Sequence, residues 1–344
     1  MAERAAQERP AVFFLAGHEV SARLFDLAAD RLRDDFDCVG IDLPGFDGTS
    51  TAEGTTPHDL VSFVTRRIRE HGSTRWLVAG QSGGAHVAAG VATRALEGGP
   101  GLVGLRGVVL IDAAPSLDAA DFPTLAVANS VDVVPALRRF WADWAGRAPL
   151  VSAEVSGAIA SGRTSTRTRA ILARRALGDD PAYVPRAMTQ AQLTVLRAVA
   201  DRAVPQTGPP VDLAARVDAG LALGASDGWR NAALPPDPVA YALALDDLKA
   251  FPLLSEGAQD DVLERIVAGG YSVEGGTLSA EQLNLWFEDC RVDLVRQWLG
   301  HPATFARIGF DGFANGGDLV RIQGFTRLGA GERDEWEPRL EGAR

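Results

Sequence analysis

Four short runs rich in apolar and β-branched residues, AVFFLA (11–16), CVGIDL (38–43), RWLVAG (75–80) and GVVLID (107–112), are separated by stretches of helical periodicity. Continuous apolar strands that alternate with helices predict a parallel sheet buried on both faces. Between the first two runs, SARLFDLAADRLRDDF places Leu24, Phe25, Leu27, Ala28 and Leu32 at helical spacing, with Ser21 as N-cap. The next helix opens at TPHD, where Thr56 caps, Pro57 occupies the first turn and Asp59 faces the helix dipole; Gly72 ends it. A third, GGAHVAAGVATRALEGG, follows Ser82. The pattern predicts four strands in the order 2-1-3-4. The open edge beside the last must be covered, since an exposed edge invites aggregation, and linker or C-terminal helices are expected there.

Beyond this region the reading changes. No strand is predicted from 118 to 187, where ALRRFWADWAG leads into the Ser/Thr/Arg stretch SGRTSTRTRAILARRALG, an exposed linker that runs into a helix. From 188 onward the strong patterns are helical. In SAEQLNLWFEDCRVDLVRQWLG, residues Leu283, Trp286, Phe287, Cys290, Leu294 and Trp298 form one apolar stripe. The expected organisation is therefore an α/β domain over 1–117, a helical lid-like linker over 118–187 and an all-α domain over 188–344 that ends in a glycine-rich tail. A chain of 344 residues is long enough for two cores.

Composition removes several classes. With 34 Lys and Arg against 45 Asp and Glu the net charge is −11, which disfavours nucleic acid and acidic lipid surfaces. No apolar run approaches the roughly 18 residues of a membrane helix, and the N-terminal segment carries neither a signal core nor a twin arginine. A cytoplasmic protein is the expectation. The two cysteines, Cys38 and Cys290, suggest neither a disulfide framework nor a zinc site. The acidic residues Asp227, Asp246, Asp247, Asp260 and Asp261 are too scattered for a calcium loop, so no metal is expected. No G-x-G-x-x-G follows a strand, so no bound dinucleotide is expected either.

The segment VAGQSGGAH (78–86) carries the chemistry. Its G-x-S-x-G pattern sets Ser82 between a strand and a helix, the context of a nucleophile elbow, with Gly80, Gly83 and Gly84 supplying the room that a tight turn needs. On FFLAGHEVSARLFDLAADRL, IDLPGFDGTS, GQSGGA and VVLIDAAP, the first 117 residues resemble the α/β-hydrolase superfamily, in particular its thioesterase-like members. The resemblance implies an oxyanion hole from the amide of Gly83 and one from His18 or Glu19. It also implies that Asp112 is the acid that orients the catalytic histidine.

The pattern departs from that family where the histidine should stand, since no further strands follow and only His301 comes after Asp112. A nucleophilic serine must lose its proton as it attacks, so a base is needed. His301, in LGHPATF, reads either as a helix-boundary residue between Gly300 and Pro302 or as that base. His86 lies one helical turn after Ser82, His18 beside the oxyanion loop, and His58 and His71 at helix ends.

Residues 188 to 338 are similar to the gluconate 2-dehydrogenase subunit 3 family, on LTVLRAVADRAVP, FPLLSEGAQDDVLERI and WFEDCRVDLVRQWLGHPATFARIGFDG. That resemblance implies an accessory subunit beside an FAD-dependent large subunit of the glucose-methanol-choline type acting on a sugar or alcohol, with FAD held by the partner. Trp229, Trp286 and Trp298 read either as anchors for such a partner or as core. Two functions stand open: an accessory flavoprotein subunit fused to a hydrolase-like module, or a serine esterase or thioesterase with Ser82, Asp112 and His301 as its triad.

Overall fold

In a computed structural model the described residues are 9–17, 20–45, 56–99, 102–113, 122–225, 231–310, 312–314, 316–318, 329 and 332. The chain divides into two compact units, residues 1–178 with 305–344, and residues 179–304. The first break thus falls nine residues before the predicted 188, and the segment after 304 belongs with the first unit.

The first unit holds a parallel five-stranded sheet, β1 (Ala11–Leu15), β2 (Asp37–Ile41), β3 (Trp76–Gln81), β4 (Leu105–Ile111) and β5 (Thr124–Val127), in the order β2-β1-β3-β4-β5. The α/β class and the first four positions match the expectation. β5 corrects the prediction that no strand follows 118: it pairs with β4 from Val108↔Thr124 to Ile111↔Val127. A strand, not a helix, therefore covers the edge beside Asp112.

Strand alternation explains why the runs are apolar throughout. Ala11, Phe13 and Leu15 of β1, with Trp76 and Val78 of β3, enter one core. Val12, Phe14, Leu77 and Ala79 enter the other. The first core is closed by α2 (Pro57–His71) and α3 (Gly83–Leu96), the second by α1 (Asp26–Leu32) and, after β5, α4 (Val133–Asp143). The N-terminus of α2 is built as its sequence requires, with Thr56 and Asp59 forming a reciprocal capping box and Gly72 closing the helix at φ 79°.

Two short helices, α5 (Ala153–Ala160) and α6 (Thr166–Arg175), follow. The predicted linker is thus structured, and Arg169 within it is buried. Its guanidinium donates to the carbonyls of Gly98 and Thr164 and to the Thr166 hydroxyl. The C-terminal segment joins here: Asp318 accepts from the Thr166 amide at 2.8 Å. Arg106, the extra residue where the β3–β4 register shifts, is also buried, and donates to the Ala176 carbonyl. Desolvation, with Arg75 adding repulsion, brings its pKa down to about 10.

The second unit is all-α among its described residues: α7 (Gln190–Ala203), α8 (Leu213–Ala222), α9 (Asp237–Asp247), α10 (Glu256–Val267) and α11 (Ala280–Leu299). Their apolar faces make one core, to which α11 gives Leu283, Trp286, Phe287, Cys290 and Leu294, with Trp298 partly buried against it. Trp286 is therefore a core side chain and Trp298 packs against that core, while Trp229 lies outside the described residues. The acidic residues serve as local acceptors: Asp246 takes the Gln192 amide, Asp247 the Thr277 and Leu278 N–H groups, and Asp260 pairs with Arg202. Asp227 lies outside the described residues.

One buried carboxylate organises the entry to this unit. Asp218 on α8, wholly buried, accepts the Tyr183 hydroxyl at 2.6 Å and the amides of Arg186, Ala187 and Met188 at 2.7, 3.0 and 2.8 Å. Burial and this carboxylate hold the Tyr183 phenol well above its ordinary pKa. Asp218→Ala leaves four donors without an acceptor, so it is expected to cost about 3 kcal/mol. Urea unfolding checks this, and a loss below about 1 kcal/mol would contradict it.

No helix among the described residues is long and apolar enough to cross a membrane.

Candidate active site

In a sheet ordered 2-1-3-4-5 the chain reverses direction between β1 and β3, and the crevice at their carboxyl ends is where parallel α/β sheets bind ligands. Ser82 stands there, directly after β3 and before α3, and is exposed. Its backbone is at φ 51°, ψ −116°, a conformation that costs a non-glycine residue about 1–3 kcal/mol. The turn is pinned by the Ser82 N–H, which donates to the Ile111 carbonyl of β4 at 3.0 Å.

The glycines around it are sterically required. A Cβ on Gly80 would lie 2.2 Å from the Gly84 carbonyl oxygen, and one on Gly84 would lie 2.4 Å from that of Leu15. Strand, turn and helix therefore interlock only with hydrogen at both positions.

Asp112 occupies the matching place on the next strand. Gln81 pairs with Ile111, so Ser82 and Asp112 each follow the last pair of their strands. Asp112 is exposed, has φ 47°, and donates its N–H to Val127 of β5 at 2.9 Å. Besides Ser82 it is the other non-glycine residue with positive φ among the described residues. Both strands thus turn sharply at the carboxyl end of the sheet.

The amide of Gly83 opens α3, a 14-residue helix whose N-terminus favours developing negative charge. His18 and Glu19, the other expected oxyanion residues, lie outside the described residues. Their neighbour Gly17 does not, and it adds a feature that motif reading missed. A Cβ there would lie 3.1 Å from the Ser82 Cβ and 3.5 Å from the Gly83 nitrogen. Any side chain at 17 would crowd the space in front of that amide. The signal was present as the glycine of FFLAGHE, but nothing in one strand says which neighbour it faces. Gly17→Val is accordingly expected to cut turnover of an activated ester at least about tenfold while near-UV circular dichroism stays native; an unchanged rate would show that the Gly83 amide is not used.

The histidines separate by what they touch. His86 turns its Nδ1 to the Ser82 carbonyl oxygen at 3.4 Å, a backbone contact. His71 pairs through Nε2 with Asp37 at 3.2 Å and packs edge-on against Phe13. His58 is exposed at the start of α2. His301 belongs to the second unit, is wholly buried, and stands between α11 and α12 (Pro302–Ile308), its Nδ1 accepting the Ala303 N–H at 3.1 Å. Neither thiol is poised to ionise. Burial, reinforced by Asp37, pushes Cys38 up to about 11, and burial raises buried Cys290 further.

Among the described residues, no group of three or more His, Cys, Asp or Glu side chains could hold a metal ion.

No protein-family model matches the chain. No curated protein matches it either. Among solved structures it is similar to an extracellular α/β-hydrolase from a Paenibacillus species, described as sharing structural and functional homology with tobacco salicylic acid binding protein 2. The identity there is 22%, over 32% of this chain and 43% of that one, with a TM-score of 0.27. It is also similar to a membrane phospholipase A described as a bacterial virulence factor, at 22% identity over 39% of each chain and a TM-score of 0.28. The chain spans less than half the length of either.

Proposed function

We propose that the protein is a serine hydrolase of carboxylic esters or thioesters, with Ser82 as nucleophile. The observation that carries this reading is the positive-φ, exposed serine at the β1–β3 crevice, flanked by glycines that the packing requires. A strained serine turn needs a reason to persist, and presenting a hydroxyl in front of a helix N-terminus is such a reason.

In this reading the Ser82 Oγ adds to the substrate carbonyl carbon while its proton passes to an imidazole. The carbonyl oxygen becomes an oxyanion and accepts the Gly83 N–H. Collapse expels the alkoxide or thiolate, which takes the proton from the imidazolium and leaves an acyl-serine. Water then repeats the sequence and releases the acid. Asp112 is assigned to orient the imidazole.

His301 is the base that the chain order proposes. His301→Ala is expected to lower p-nitrophenyl ester hydrolysis by about 10³-fold or more. An unchanged rate would remove His301 and pass the role to another imidazole. The reading of the helical unit as an accessory subunit of an FAD-dependent sugar or alcohol dehydrogenase rests on sequence resemblance alone.

A further inference from the structure

A groove of about 560 Å³ runs along α3 between α2 and α6, within the first unit and outside the serine turn. That volume is typical of a small-molecule site. Its wall is apolar where Val61, Val87 and Gly90 line it. Gly90 packs closely on the neighbouring helix, since a Cβ there would lie 2.6 Å from Val61 Cγ2 and would make that side chain shift.

The polar groups differ in how far they are spent. Arg169, at one end, gives its donors to protein oxygens, as described above. Arg94 is half-buried and, among the described residues, its side chain makes one hydrogen bond, to the Ser62 hydroxyl at 2.6 Å. Among the described residues no carboxylate lies within ion-pair distance of it, although Glu97 lines the same groove. A guanidinium has five N–H donors in a planar fork suited to carboxylate or phosphate, so most of this one is unused. His86 marks the other limit, eight residues back on the helix and therefore about 12 Å along its axis.

We infer that this groove binds an aliphatic chain with one anionic head, its carboxylate or phosphate on Arg94 and its chain laid along Val61 and Val87 towards His86. An apolar wall with one unspent cation selects for that combination: a neutral chain leaves the guanidinium unpaired, and a bare anion leaves the wall wet. The inference does not depend on the hydrolase reading.

The test is isothermal titration of the full chain with decanoate, decyl phosphate, 1-decanol and inorganic phosphate. The expected result is saturable binding of decanoate or decyl phosphate, whichever head the site prefers, with 1-decanol and inorganic phosphate at least about tenfold weaker. Arg94→Gln should weaken the preferred ligand about tenfold or more. Thr93→Trp, which fills the groove from an exposed position on α3, should abolish binding, and Ser82→Ala should leave it unchanged. Failure of both amphiphiles to bind, equal binding of 1-decanol, or affinities indifferent to the Arg94 and Thr93 changes would each overturn the proposal.

Discussion

Ser82→Ala is expected to reduce hydrolysis of p-nitrophenyl acetate or butyrate by at least about 10³-fold, because the attacking oxygen is removed while the oxyanion donors remain. The fold should be untouched. Ser82 is exposed, and its turn is held by main-chain bonds from Ser82 N to Ile111 and from Ala85 N to Ser82 O, which a methyl side chain leaves in place. The positive-φ strain is about the same for alanine as for serine, so unfolding free energies of the two forms should agree within about 0.5 kcal/mol. A fall in activity accompanied by a fall in stability would point to a structural serine.

Gly84→Val is the expected structural failure. The new Cβ would meet the carbonyl oxygens of Leu15 and Ala16 at 2.4 and 2.7 Å, both main-chain atoms at the end of the interior strand β1. Backbone in the middle of a sheet cannot step aside as a side chain can, so a loss of about 4 kcal/mol is expected. The contrast is Gly157 in α5, where an added Cβ meets nothing within 4 Å. Gly157→Ala should stabilise by about 0.5–1 kcal/mol, by removing the glycine penalty in a helix. Thermal unfolding of the two variants should move in opposite directions; movement in the same direction would show that the interlock of β1 with the serine turn is not what fixes Gly84.

Much of the architecture was legible because the forces that create it are local. β1, β3 and β4 stand out since both of their faces are buried, and the cap at Thr56 is a short-range pattern. β5 escaped because it has four residues, one of them buried, and so leaves no alternation to detect. Asp218 escaped for another reason: three of its four partners are main-chain amides about thirty residues earlier, and a main-chain amide leaves no trace in sequence.

The site divides along the same line. Ser82 with its two required glycines forms a contiguous motif, and Asp112 is reached only through the resemblance carried by VVLIDAAP. Gly17 is a matter of tertiary proximity, visible only when β1 is laid beside β3. The base is hardest to read, because an imidazole reaches a serine through space and chain order fixes no distance.

The most direct measurement is active-site labelling of the intact protein with a fluorophosphonate, followed by peptide mass spectrometry. The account predicts one adduct, on the peptide that contains Ser82, at a rate that falls to background in Ser82→Ala. No adduct on the wild type, or equal labelling of the alanine variant, would contradict it.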